Sequence, residues 1–422
     1  MTSPHFQKSV LSNGVRVLSE AHPHAHSQTI GVWVEAGTVY ESQRQAGMAH
    51  LLEHMVFKGT KEHSAAQMAK IVDGIGGQLN AFTEREFVCF HIKVLSDKAD
   101  IAVQLLCDLI TCPLLKDVDL ELEKGVVLEE IHGMEDTPED LLEEVFQQSL
   151  WPRSPWSACI LGNAASVKRT TSSQLRQFME KYYAPKRILV AASGKVDHAR
   201  LTAQVEKQLG HLRAPQNRRR APLPQAPQSI SNRTHVKRDI EQVHLCYGAP
   251  SFGCRDPRRL ATWILETVLT GGFSSRLFQE LREKQGLCYG IGAFSCSYRH
   301  GGFWGIETSA SPAAAPRLAG LIGRELRRLK KHGITKAEWR RAINMLRANI
   351  LLSDENPSSR MSRIARQELC HGRQFSGAEI ITLLEATLPE QVQHLAHELF
   401  DPARMNLAVV GPPLQSPLEI EV

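Results

Sequence analysis

Gly47-Met-Ala-His-Leu-Leu-Glu-His-Met-Val-Phe-Lys-Gly-Thr60 is the stretch on which the reading of this 422-residue chain turns. Met48, Leu51, Leu52, Met55 and Val56 recur at helical spacing, so the segment reads as a helix with one side buried against a sheet. His50 and His54 are four residues apart and share a helix face, which lets both imidazoles reach one ion. Glu53 lies three residues from His50 and one from His54. It can lean over the open side of such an ion without binding it. The pattern is HxxEH, an inversion of HExxH. Two histidines on one helix face also make an ordinary polar surface, so the pentapeptide alone leaves both readings open.

A catalytic zinc takes three protein ligands and keeps a fourth position for water. The stretch Glu123-Lys-Gly-Val-Val-Leu-Glu-Glu130 offers the third. Glu123 and Glu130 are seven residues apart, two turns of one helix, and share a face. Glu129 is a rival that points a quarter-turn or more away. A carboxylate ligand makes the site His2Glu, with one zinc per chain. Zinc brings the pKa of its water to about 7, and Glu53 is placed to be the general base. Glu123 then orients a ligand or shares charge near the metal. His24, His26, His63 and His91 read as surface or internally bonded residues, and His132 is a weak ligand candidate.

The chain divides almost in half at residues 213–233, where prolines, arginines and polar residues follow no period and read as a linker. The domains expected are 1–212, carrying the metal, and 234–422, metal-free. The halves read as divergent copies. Shifted by 213 residues, Gly31–Gly59 lies over His244–Gly272. Glu53 then falls on Glu266, while His50 and His54 fall on Trp263 and Thr267. Each half runs strand, helix, strand, helix. The fold class expected is α+β: two homologous sandwich repeats, each an antiparallel-rich sheet with helices on one side. The Glu84–Val94 run alternates as an edge-forming strand should. Glu135–Glu144 reads as a solvated acidic helix start, with Asp140 and Glu144 one turn apart for a basic side chain.

The net charge of +5, from 50 basic and 45 acidic residues, argues against nucleic acid or an anionic membrane as partner. No apolar run is long enough to span a bilayer. Met1–Lys8 shows no secretory or transit pattern. Nine scattered cysteines without a CxxC pair suit a reducing compartment, so a cytoplasmic location is expected. Cys89, Cys107, Cys112, Cys246 and Cys288 read as small buried hydrophobes.

Four motifs together are specific: Gly47–Thr60, Gly76–Thr83, Val127–Asp140 and Ser275–Tyr289. By these the chain resembles the pitrilysin family of zinc peptidases, which includes insulin-degrading enzyme and mitochondrial processing peptidase. It looks like a short, two-domain, bacterial-type member, and the resemblance covers nearly its whole length. The resemblance places the zinc ligands on His50, His54 and Glu130, the base on Glu53 and a further functional acid on Glu123. It implies that a peptide binds as an extra strand at a sheet edge near Asn80, Ala81 and Phe82. It also implies that Arg282 and Tyr289 contact substrate, Arg282 at a carbonyl and Tyr289 at the oxyanion. From the residues alone, these two read as a surface charge and a core tyrosine. Long relatives carry four repeats that close into a chamber. Two repeats here imply a second chain, and since this chain keeps both the metal motif and the Arg/Tyr pair, a homodimer. The substrates implied are peptides or unfolded segments. The alternatives are a non-catalytic scaffold or a subunit of a heteromeric processing complex.

Overall fold

The structure, a computed structural model, describes residues 5–213, 223 and 231–422, so most of the linker expected at 213–233 lies outside the described residues. The first half runs β1 (Phe6–Val10), β2 (Arg16–Ala21), β3 (Ser27–Val34), α1 (Met48–Val56), α2 (Ala65–Gly74), β4 (Gln78–Thr83), β5 (Val88–Leu95), α3 (Ala99–Thr111), α4 (Asp117–Asp136), α5 (Pro138–Leu150), α6 (Ala164–Arg169), α7 (Ser172–Tyr182), β6 (Ile188–Gly194) and α8 (His198–Leu209). The second runs β7 (Asn232–Lys237), β8 (Val243–Ser251), α9 (Arg259–Thr270), a π turn (Phe278–Glu283), β9 (Ile291–Ser297), β10 (Gly302–Ala310), α10 (Ala315–His332), α11 (Lys336–Ser353), α12 (Pro357–His371), α13 (Gly377–Glu385), α14 (Pro389–Leu399) and β11 (Asn406–Gly411).

The first sheet has the order β1-β2-β6-β3-β5-β4, and the second β7-β11-β8-β10-β9. Without β1 the two orders coincide, strand for strand. Each sheet has one parallel pair, β2 with β6 and β7 with β11, and is otherwise antiparallel. The repeat read in the sequence is therefore present as topology. The central strands β3, β6 and β8 are buried almost throughout, as near-continuous apolar runs require. The edge differs from the expectation drawn from Glu84–Val94. There β5 lies inside the sheet, between β3 and β4, and β4 is the edge strand. Polar residues alternate in β5 because one of its faces is wetter, not because its backbone is unpaired.

In each half, helices cover one face of the sheet: α1, α3 and α8 on the first, α9, α10 and α14 on the second. The opposite face carries a helix from the other half of the chain. α12 lies on β2, β3 and β6, and α5 lies on β7, β8 and β11. The two compact units follow this exchange. Of the described residues, one draws on 5–132, 158–213, 223 and 352–376, the other on 133–157, 231–351 and 377–422.

Side-chain chemistry explains the seat of α12. Met361, Ile364, Ala365 and Leu369 pack on Leu18, Trp33, Cys89, Leu189 and Ala191. The helix comes so close that a Cβ at Gly31 would lie 2.7 Å from Met361 Sδ. Around this apolar seam, Arg363 and Arg360 reach buried Glu20 at 2.7 and 3.3 Å, and Lys8 reaches Glu368 at 2.7 Å. On the second sheet, the ring of Phe146 from α5 meets Phe294 and Phe303 edge-on. Cys89, Cys107, Cys246 and Cys288 are buried thiols as expected, whereas Cys112 is half-buried.

The second repeat keeps one charged remnant. Glu266 on α9 accepts a hydrogen bond from Ser295 on β9, and burial pushes its pKa up to about 7. Its Oε1 is buried without a partner. Between the ordinary carboxylate range and about pH 7, the folded chain holds a proton that the unfolded chain releases. The stability from this group is therefore present at low pH and is lost as pH rises to 7. Glu266→Gln stays neutral throughout. It is expected to raise Tm by several degrees at pH 8, at ~2–4 °C per kcal/mol, and by clearly less at pH 5. Thermal unfolding at the two pH values measures this, and equal differences at both would refute the protonated state.

Candidate metal centre

The helix that carries HxxEH is only nine residues long, and its start is held from outside. Its N-cap, Gly47, has φ 84°, and a Cβ there would lie 2.5 Å from the Leu161 carbonyl oxygen, so glycine is required. Glycine brings no capping side chain. Glu41 supplies one from the preceding loop, accepting from the N–H of Gly47 at 2.9 Å and of Ala49 at 2.6 Å. Burial pushes the Glu41 carboxyl up to about 8, against the opposing pull of these N–H groups.

One turn into the helix, His50 and His54 converge. Their ring centroids are 4.7 Å apart with planes at 62°. Glu130 of α4 meets both: its Oε2 lies 3.6 Å from His50 Nε2 and 3.5 Å from His54 Nε2. All three ligand atoms fall within 4.8 Å of one another, and among the described residues no other His, Cys, Asp or Glu group does so. Ligands ~2 Å from a tetrahedral ion lie ~3.3 Å apart, close to what is seen here. Burial, and secondarily the neighbouring His54, pulls His50 down to about 4. His50 is thus a neutral imidazole at pH 7, the form that binds metal. Two imidazole nitrogens and one carboxylate oxygen, with one side open, are the donor set of a His2Glu zinc site.

The rival Glu129 is largely exposed and lies 3.8 Å from His132, and neither belongs to the cluster. Glu123 is buried in the same unit. Its Oε2 is 3.0 Å from His54 Nδ1, and its Oε1 is 2.5 Å from Lys58 Nζ. Glu53 lies between the histidines and β4. Its Oε2 accepts a hydrogen bond of 2.5 Å from Thr83 Oγ1. Burial raises its pKa, while the Thr83 hydroxyl and His54 oppose the rise and Glu130 adds to it. Glu266 of the second repeat likewise meets a hydroxyl, that of Ser295 on the edge strand β9.

Asn80, Ala81 and Phe82 lie on the edge strand β4, which ends at Thr83. Asn80 is exposed and its Oδ1 accepts from the N–H of Ala81, while Phe82 packs edge-on against Trp33. Arg282 sits in the π turn of the other compact unit. Such turns are rare and concentrate at functional positions. The Arg282 guanidinium lies 4.7 Å from the Phe278 ring centre and 5.1 Å from that of Tyr289, which is 85% exposed. Tyr289 is therefore no core residue. Sequence reading missed Thr83, Glu41 and Lys58 as parts of the site. Thr83 closes a motif already singled out, but its contact with Glu53 crosses thirty residues and left no spacing signal.

Comparison with known proteins fits this arrangement. Residues 16–163 match the family model for insulinase (peptidase family M16), and residues 169–346 match that for the peptidase M16 inactive domain. The chain is 37% identical to an uncharacterized zinc protease of Mycobacterium tuberculosis over 413 residues, covering 96% of this chain and 93% of that one. It is 34% identical to the uncharacterized zinc protease YmxG of Bacillus subtilis over 400 residues, 95% and 97% of the two chains. It is 32% identical to a similarly named protein of Streptomyces coelicolor over 416 residues, 96% and 89%. The fold matches that of a protease from Helicobacter pylori with TM-score 0.90 at 21% identity, over 97% of this chain and all of that one. A Pseudomonas fluorescens structure described as a peptidase M16 inactive domain gives TM-score 0.89 at 20% identity, over 98% of this chain and all of that one. With matching models on both repeats and relatives above 30% identity along nearly its full length, the chain belongs to peptidase family M16.

Proposed function

We propose that this chain is a zinc metalloendopeptidase acting on peptides or unfolded segments. The observation that carries the reading is the convergence of His50, His54 and Glu130 with the carboxyl of Glu53 beside them. The zinc protease names of its relatives support it.

His50, His54 and Glu130 would hold the ion. Zinc bound there supplies Lewis acidity to a water and to the scissile carbonyl. Glu53 acts through the oxygen that Thr83 leaves free. It takes a proton from the attacking water and returns it to the departing amine. The Thr83 hydroxyl holds the other oxygen and so fixes the carboxylate plane. The edge strand β4 offers backbone groups to an extended peptide, with Asn80, Ala81 and Phe82 along it. Arg282 and Tyr289 donate to substrate oxygens, the tyrosine where charge develops. In this reading they come from a second copy of the chain, and the homodimer encloses a chamber that admits only flexible substrates.

Glu53→Gln is expected to keep stoichiometric zinc and to lose hydrolysis of quenched fluorescent peptides by ~10³-fold. Near-normal turnover would sink the mechanism, and loss of zinc would show that Glu53 holds the metal. Thr83→Val should keep zinc and lower kcat about tenfold, less than the ~10²–10⁴-fold of a general base itself, because the base remains and only its orientation is lost. An unchanged kcat would remove Thr83 from the mechanism. Mixing Glu53→Gln with Arg282→Ala chains should restore part of the activity that each lacks alone. No recovery at any ratio would argue against sites shared between copies.

A further inference from the structure

Glu123 has a neighbour whose placement points to a role beyond charge balance. The Glu123 carboxylate is almost fully buried, and each of its oxygens has one polar partner: His54 Nδ1 at 3.0 Å on Oε2, and Lys58 Nζ at 2.5 Å on Oε1. Lys58 lies just beyond the end of α1. Its N–H donates to the carbonyl of Met55 at 3.2 Å, and the N–H of Phe57 donates to that of His54 at 3.2 Å. The backbone bearing Lys58 is thus tied to the turn that bears His54. A cation at this end of the helix is also favoured by the helix dipole.

The two histidines differ in what stands behind them. His50 Nδ1 is buried with no hydrogen-bond partner. His54 Nδ1 faces Glu123, which in turn faces Lys58. We propose that Lys58 is a positioning residue. It holds Oε1 of Glu123 so that Oε2 accepts the Nδ1–H of His54, which turns the bare Nε2 of His54 toward Glu130 and the metal. This rests on the zinc reading given above.

A glutamate carboxyl rotates freely about its last bond, since that torsion is broad and two-fold. A cation held close to one oxygen restrains this freedom, here Lys58 Nζ at 2.5 Å from Oε1. The tautomer and tilt of a ligating histidine are then set by the acceptor at its other nitrogen. An ordinary surface Lys–Glu pair does nothing of the kind, because both chains move in water. Here the carboxylate is buried and its other oxygen is committed to a ligand.

The test compares the full-length wild type, Lys58→Met and Lys58→Arg. Zinc affinity is measured by chelator competition. The His54 tautomer is read by nitrogen NMR on the metal-free protein, and metal-free thermal unfolding serves as the control for folding. Lys58→Met is expected to bind zinc ~10-fold or more weakly, as for loss of other groups that orient metal ligands. Its His54 should change from one tautomer to a mixture. Lys58→Arg is expected to restore both, and the metal-free melting temperatures should agree within a degree or two. Wild-type zinc affinity and a single tautomer in Lys58→Met would overturn the proposal. So would a loss of affinity that tracks lost stability and is not restored by arginine. A wild type that takes up no zinc, yet holds His54 in one tautomer that Lys58→Met scrambles, would sink the metal reading and leave the positioning role standing.

Discussion

The contact between His54 Nδ1 and Glu123 Oε2 joins two helices that the sequence keeps 69 residues apart. Much of the site depends on it. α1 brings the two imidazoles, α4 brings Glu123 and Glu130, and neither helix alone offers more than two ligands. The buried carboxylate locks one helix against the other, and the seven-residue spacing then carries Glu130 two turns along α4 to where both Nε2 atoms meet it. Shifting α4 by a single residue would turn Glu130 about 100° away from them. The metal geometry is therefore a consequence of helix registry, with Glu123 as its pin.

The scaffold that holds this registry is built from two copies of one plan. Both sheets share strand order and the place of their parallel pair, yet only the first half has histidines on its first α-helix. What the second copy retains is informative. A carboxyl still meets a hydroxyl between helix and edge strand, Glu266 with Ser295 as Glu53 with Thr83. In the first copy that carboxyl stands beside the candidate metal ligands. In the second no such ligands stand beside it, and desolvation outweighs the hydrogen bond from Ser295. Such a pair lies beside the candidate metal cluster in one half and is a titrating group without it in the other.

α5 and α12 are exchanged between the halves of the chain, each completing the compact unit it joins. Each sheet has two apolar faces, and its own half supplies helices for only one. An uncovered face of Leu18, Trp33, Cys89 and Leu189 would be a large exposed patch. α12 covers it, and the arginines around Glu20 set the helix at one place along the groove.

The sequence by itself determined the elements with strong periodicity, the existence of two repeats, and the ligands His50 and His54 as a candidate pair. These are local properties: helix period, alternation and a four-residue spacing are visible without a fold. Spacing left Glu130 and Glu129 as candidates for the third ligand, and the family resemblance placed it on Glu130. The sequence misplaced the sheet edge, since alternation reports the wetting of side chains and says nothing of which strand pairs on both sides. It could not show that Thr83 holds Glu53, that Glu41 caps α1, that Lys58 holds Glu123, or that α5 and α12 change places. Only the tertiary structure decided those. Each is a contact between segments distant in sequence, made by side chains whose types are common everywhere in the chain, and no spacing rule encodes a meeting that depends on how whole sheets and helices pack.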